Sequence, residues 1–193
     1  MTLNTPQLLC KRISVPGSIA SLCILTMVLL TSQSGFAAGV GDVAPAFELQ
    51  TSGGESVSLA DYRGKKAVYL VFWNTWCNYC IKRTPRYIKL AEEFADRIEV
   101  IAINTTWSDT EAKIEQFQEQ HKTNYQLVYD AGEVVTRRYV VQAVPTEFII
   151  DIDGIIRYRD GVPKYVAAHI PDWFQPYTAD MNPLPSCANP DAL

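Results

Sequence analysis

The sequence predicts an α/β domain with a mixed central sheet, helices on both faces and a β-hairpin at its N-terminal end. Three observations predict it. Ala67 to Trp73 is an apolar run of strand length with no polar alternation, the pattern of a strand buried on both faces. Strand-like and helix-like segments then alternate as β-α-β-α-β-α-β-β-α, an order that packs helices on both sides of a sheet. The 193 residues suffice for one ordinary core and are too few for two.

Each element has its own signal. Gly41 to Leu49, the Ser52-Gly53-Gly54-Glu55 turn and Val57-Ser58-Leu59 read as a small hairpin. Asp61 to Lys66 is a polar turn before the Ala67–Trp73 strand. From Cys77 to Arg97, Ile81, Ile88, Ala91, Phe94 and Ala95 recur at helical spacing, giving one amphipathic helix that Pro85 should kink. Ile98 to Asn104 returns to strand. Thr110 to His121 is a second helix with Ile114 and Phe117 inward, Leu127 to Tyr129 a short strand, and Gly132 to Tyr139 a short helix. Thr146 to Asp151 and Ile155 to Arg159 are strands joined at Asp153-Gly154, a tight-turn pair. A last helix is expected over Lys164 to Phe174. Pro176, Pro183, Pro185 and Pro190 then mark an irregular tail.

The ends and the charge narrow the setting. Lys11 and Arg12 precede an apolar run from Ile19 to Leu30, followed by Gly35-Phe36-Ala37-Ala38, the order of a signal peptide cut near Ala37 or Ala38. The run is shorter than the roughly 20 residues of a spanning helix, although an uncleaved anchor is the competing reading. The expected division is therefore 1–38 signal peptide or anchor, 39–175 folded domain and 176–193 Pro-rich tail, working outside the cytoplasm in a periplasmic setting. A formal charge of −4 and a pI near 5.2 provide no basic field for nucleic acid. Cleavage would remove Cys10 and Cys23, leaving Cys77, Cys80 and Cys187.

Chemistry concentrates in Trp76-Cys77-Asn78-Tyr79-Cys80. A cysteine pair two residues apart, after a buried strand and at the mouth of a helix, sits where unpaired N–H groups and the helix dipole favour thiolate. Cys77, at the mouth, is then the nucleophile, and Cys80, one turn in, the resolving thiol. A purely structural disulfide would be a poor staple, because the loop it closes holds only Asn78 and Tyr79. A zinc site needs about four ligands, and beyond the pair there remain Cys187 and the separated His121 and His169. No cofactor is expected. Trp76 should flank the active thiol within an apolar docking surface, whereas Trp73 reads as core. Lys82, Arg83 and Arg86 read as a solvated helix face rather than as groups tuning Cys77. Asn104-Thr105-Thr106-Trp107 ends a strand at the sheet edge of the cysteines and reads as packing.

The chain resembles the TlpA/ResA-like branch of the thioredoxin superfamily. The resemblance rests on Gly41-Asp42-Val43-Ala44-Pro45-Ala46-Phe47, on Tyr62-Arg63-Gly64-Lys65, on Phe72 to Cys80 with Pro85 beyond it, and on Val144-Pro145-Thr146. It spans about Val40 to Lys164. It implies a thioredoxin-like fold in which Val144-Pro145 is a cis peptide bond facing the disulfide, with backbone groups of Val144 and Thr146 free to pair with an extended substrate segment. It also implies disulfide- or thiol-bearing protein substrates, use as a reductant, and a membrane electron carrier that recharges it.

Two positions depart from the family pattern. Tyr79 stands where proline usually precedes the second cysteine, so redox poise cannot be carried over. Val71 stands where thioredoxins tend to hold a buried acid. Glu147, in the otherwise apolar Thr146-Glu147-Phe148-Ile149-Ile150, is expected to replace it as proton acceptor for Cys80 from the neighbouring strand. The competing reading has Glu147 reaching solvent or paired with a cation. Two other functions compete. A thiol peroxidase shares the Ala44-Pro45-Ala46-Phe47 element, but such enzymes favour a Thr-x-x-Cys nucleophile, and Thr75-Trp76-Cys77 lacks that spacing. A copper-delivery module would use Cys77, Cys80 and a histidine, yet the chain has three methionines, one the initiator and one in the export segment.

Overall fold

A computed structural model describes residues 38–160 and 165–176. The segment expected to be a signal peptide or anchor, up to residue 37, together with Lys164, Cys187 and the tail beyond Pro176, lies outside the described residues. Strands β1 (Glu48–Thr51), β2 (Ser56–Ser58), β3 (Ala67–Trp73), β4 (Ile98–Asn104), β5 (Gln126–Tyr129), β6 (Thr146–Ile150) and β7 (Ile156–Arg159) form one sheet in the order β2-β1-β5-β4-β3-β6-β7. β3 pairs parallel with β4, as β4 does with β5, while β6 and β7 add antiparallel on one side and β1 and β2 on the other. Helices α1 (Asn78–Glu93), α2 (Glu111–His121), α3 (Val134–Arg138) and α4 (Val166–His169) join them, giving the expected mixed sheet with helices and an N-terminal hairpin.

β3 shows why an unbroken apolar run becomes a central strand. Side chains alternate across a sheet, and Tyr69, Val71 and Trp73 enter one core with Cys80, Tyr87 and Leu90 of α1 and Phe117 of α2. Val68, Leu70 and Phe72 enter the opposite core with Phe47, Val135 and Tyr139. At the first hairpin, Gly54 takes φ +82°, a left-handed value that side chains rarely adopt. Asp153-Gly154 closes the second: Gly154 has φ +83° and the buried Asp151 carboxylate accepts from the backbone of Asp153 (3.0 Å) and Ile155 (2.8 Å).

Four expectations need correction. The fully buried stripe of α1 is Cys80, Thr84, Tyr87 and Leu90, with Ile81, Ile88, Ala91 and Phe94 half-buried at its margins and Ala95 exposed. Thr84 and Tyr87 can face inward because their hydroxyls are satisfied there: Thr84 donates to the Cys80 carbonyl (3.2 Å), and Tyr87 donates to Glu147. α3 starts at Val134 rather than Gly132, since Gly132 and Glu133 take left-handed φ values of 76° and 59°, and Asp130 caps the backbone of Val135 and Thr136. The last helix is broken into α4 and a 3-10 segment, Ile170–Phe174, because Pro171 has no N–H to continue an α-helical ladder. The fourth concerns the polar residues at the end of β4, which belong to the site.

Candidate active site

Three segments leave the sheet at one edge. β3 ends at Trp73, β4 ends beside it at Asn104 in parallel register, and β6 begins antiparallel at Thr146, opposite Phe72. The cysteine loop, the 105–109 loop and Val144-Pro145 therefore converge where the C-terminal ends of the central strands open.

Cys77 is the N-cap of α1, in extended conformation, and accepts a hydrogen bond at Sγ from the backbone N–H of Cys80 (3.1 Å). That is the contact the helix mouth was expected to provide, and it stabilises charge on sulfur. Cys77 and Cys80 are joined in a disulfide and are 5% and 2% exposed, so Cys77 is the more accessible by a small margin. Trp76 (52% exposed) and Tyr79 (73% exposed) stand out from the surface on either side of Cys77 in sequence. Trp73 is core, its ring tilted against Phe117 with centroids 4.5 Å apart. Val144-Pro145 is a cis bond, as the resemblance implied. Val144 packs against the core cluster that contains both cysteines, and Thr146 Oγ1 donates to the Ala143 carbonyl (2.8 Å).

Glu147 lies directly opposite Val71 in the β3–β6 register, so its carboxylate enters the core beneath α1 from the neighbouring strand. It is buried, and it is also ion-paired: Arg83 Nη1 approaches Oε2 at 2.6 Å, and the Tyr87 hydroxyl donates to Oε1. The two alternatives for this residue thus combine, since a carboxylate this deep needs a partner. Arg83 is correspondingly not a solvated bystander. Its own burial would lower its pKa, but the hydrogen bond and charge of Glu147 outweigh that and raise it. Burial first, then the Glu147 charge, pushes the hydroxyls of Tyr69 and Tyr87 above the usual phenol range. Lys82 lies over the Tyr79 ring at 5.8 Å.

The fourth correction lies here. Asn104 and Thr105 do not merely pack; with Asn74, Thr75 and Asp109 they build a buried polar network. Asp109 accepts at Oδ2 from the Thr75 backbone (2.7 Å), Asn104 Nδ2 (2.8 Å) and Asn74 Nδ2 (3.1 Å), and at Oδ1 from the Thr75 hydroxyl. Thr105 Oγ1 donates to Asn74 Oδ1 (2.7 Å). Burial alone would raise the Asp109 pKa, but the hydrogen bonds from Asn104, Thr75 and Asn74 prevail and lower it. Asp109 had one sequence signal, its place just before the helix start at Thr110; Asn74 and Asn104 had another, as polar residues ending two apolar strands.

A disulfide across one helical turn, at the point where a buried strand of such a sheet runs into a helix, defines a thiol–disulfide oxidoreductase of thioredoxin-like fold. The AhpC/TSA family model matches residues 40–159, and the chain belongs to that family, on its TlpA/ResA-like side. The chain is 36% identical over 118 residues to thioredoxin-like protein YneN of Bacillus subtilis, covering 61% of this chain and 68% of that one. Thiol-disulfide oxidoreductase ResA of Bacillus thuringiensis is 32% identical over 116 residues, covering 60% of this chain and 65% of ResA. Among solved structures, the thioredoxin domain of a thiol-disulfide oxidoreductase from Bacteroides vulgatus superimposes with a TM-score of 0.62 at 26% identity, over 71% of this chain and 99% of that domain.

Proposed function

We propose that this oxidoreductase is exported and reduces disulfides of other exported proteins, with Cys77 as nucleophile and Cys80 as resolving thiol. The observation that carries the assignment of roles is the Cys80 N–H donating to Cys77 Sγ at the mouth of α1, which favours the thiolate at position 77 over position 80. The Cys77 thiolate attacks a substrate disulfide, forming a mixed disulfide and releasing one substrate thiolate. Cys80 then gives up its proton and attacks Cys77 Sγ, closing the Cys77–Cys80 disulfide and releasing the second substrate sulfur. Two electrons pass to the substrate, and its two released thiolates take up one proton that came from Cys80 and one from solvent. Glu147, facing α1 from β6, is the proton acceptor for Cys80 in this scheme. Trp76, Val144, Pro145 and Thr146 form the surface on which an extended substrate segment lies. A membrane electron carrier returns the pair to the dithiol.

The reductive direction is supported by where the cations of α1 go. Arg83 is paired with Glu147 and Lys82 lies over Tyr79, and the polar contact described at Cys77 Sγ is the neutral Cys80 N–H rather than a cation; a less stabilised thiolate makes a stronger reductant. Export is supported by Lys11-Arg12 and the Ile19–Leu30 run. Ala38 is fully buried and its carbonyl accepts from Arg159 (2.8 Å), which favours cleavage after Ala37, keeping Ala38 in the mature chain. The direction is tested by equilibrating the chain in defined thiol–disulfide buffers. A Cys77–Cys80 potential near the roughly −270 mV of thioredoxin is expected, and one near the roughly −120 mV of DsbA would make the protein an oxidant.

A further inference from the structure

We infer that Asp109 is a positioning residue for substrate docking, holding the cysteine loop and the 105–109 loop together so that Trp76 is presented as a fixed lip beside Cys77. The inference rests on the oxidoreductase reading and extends it to a residue outside the disulfide and the cis-proline segment.

Asp109 is 6% exposed, and its donors come from two segments distant in sequence: Asn74 and Thr75, just ahead of Cys77, and Asn104 at the end of β4. Asn74 is in turn bound to the active cysteine, since its carbonyl accepts from the Cys77 backbone N–H (3.2 Å). The shape of the second loop follows from the same anchor. Thr106 and Ser108 take left-handed φ values of 65° and 59°, which ordinary residues adopt only when surrounding contacts impose them. Asn104 Oδ1 accepts from the Thr106 backbone (2.9 Å), and the Asp109 N–H donates to the Thr106 carbonyl (3.3 Å). This conformation turns the Trp107 carbonyl toward the cysteine loop, where it accepts from Trp76 Nε1 at 2.6 Å. The Trp107 ring packs on the opposite core, so that carbonyl stands on a rigid base.

Trp76 is half exposed, and the indole N–H is its one polar side-chain atom. Tied to Trp107, the ring is already ordered before a substrate arrives, and a surface that is ordered in advance avoids the entropy cost of ordering on binding. A long polypeptide substrate that lies across the lip gains from this; a small disulfide that reaches only the sulfurs does not. Asp109 touches no reacting atom and acts through Trp76 and Asn74.

The test uses the prereduced full chain, oxidised by insulin or by hydroxyethyl disulfide over a range of concentrations and followed by acid-quenched thiol alkylation. In Asp109→Asn the ratio of the insulin rate constant to the hydroxyethyl disulfide rate constant is expected to fall at least fivefold, with the half-saturating insulin concentration rising more than the limiting rate falls. A ratio within fivefold of wild type, whether both rates hold or both drop together, overturns the inference and leaves Asp109 a structural residue. If Asp109→Asn does not fold, Thr75→Val decides. It is isosteric, removes one hydrogen bond to Asp109, and should lower the ratio at least twofold; an unchanged ratio overturns the inference. Wild-type turnover separates the claims. A wild-type chain that reduces neither substrate refutes the oxidoreductase reading as well, whereas an active wild type with an unmoved ratio refutes the role of Asp109 alone.

Discussion

Replacing Arg83 with Met should destabilise the protein more than replacing its partner Glu147 with Gln, although the arginine is the more exposed of the two. The Arg83 side chain is 46% exposed and that of Glu147 3%. Losing one partner of a fully buried pair costs about 3–5 kcal/mol, and exposed pairs contribute about 0.2–1 kcal/mol. This pair is buried on the acid side only. Without Arg83 the carboxylate remains in the core beneath α1 with the Tyr87 hydroxyl as its donor, so Arg83→Met should cost about 2–3 kcal/mol, between the exposed and fully buried ranges because solvent reaches the guanidinium. In Glu147→Gln the Tyr87 hydroxyl can still donate to the amide oxygen and Arg83 can turn toward water, which leaves a cost of about 1 kcal/mol. The double variant should cost little more than Glu147→Gln, giving a coupling of about 2 kcal/mol in a double-mutant cycle. Urea unfolding of the oxidised chain at neutral pH measures all four species. Equal single costs, or a double variant equal to their sum, would refute the idea that Arg83 neutralises a buried acid.

Other outcomes follow from the same structure. Asp151→Ala should cost about 3–5 kcal/mol in urea unfolding, because it removes the only carboxylate described against the buried Arg157, whose Nε lies 2.5 Å from it and whose side chain is 7% exposed, leaving the guanidinium charge with the neutral carbonyls of Asp172 and Gln175; it also removes the acceptor that closes the β6–β7 turn. At alkaline pH the buried phenols should resist ionisation: burial is the first cause that pushes Tyr62, Tyr125 and Tyr158 up to about 12, and Tyr69, Tyr87 and Tyr139 beyond the titratable range. A pKa raised in the folded state means that folding retains protons which the unfolded chain releases. Stability should therefore hold below about pH 10 and fall as pH rises from there toward 12, seen as a falling urea midpoint alongside a delayed phenolate absorbance.

What could be read from the sequence was what depends on neighbours along the chain. β3 declared itself because burial on both faces leaves no room for polar alternation, and the helix mouth at Cys77 because the cysteines follow that strand directly. Glu147 stood out as a lone acid in an apolar strand, and the expected neighbouring of its strand and that of Val71 is seen in the β3–β6 register. Its arginine did not stand out, since Arg83 sits among Lys82 and Arg86 on what reads as an exposed face. Tyr87 and Thr84 are absent from the expected helix face for a related reason: a polar tip looks like a surface residue until its partner, Glu147 or the Cys80 carbonyl, is known to wait inside. Asp109 was hidden more deeply. Its donors Asn74 and Thr75 lie 35 and 34 residues away, and only the parallel pairing of Trp73 with Asn104 brings the two loops together.

The division of labour between Cys77 and Cys80 can be tested directly by trapping. Reduced Cys80→Ser chain, mixed with insulin, should accumulate a covalent complex through Cys77 that dithiothreitol releases, because no resolving thiol remains to displace the substrate. Cys77→Ser should form none. A complex formed by Cys77→Ser instead, or by neither variant, would contradict the assignment of Cys77 as nucleophile and the exchange mechanism built on it.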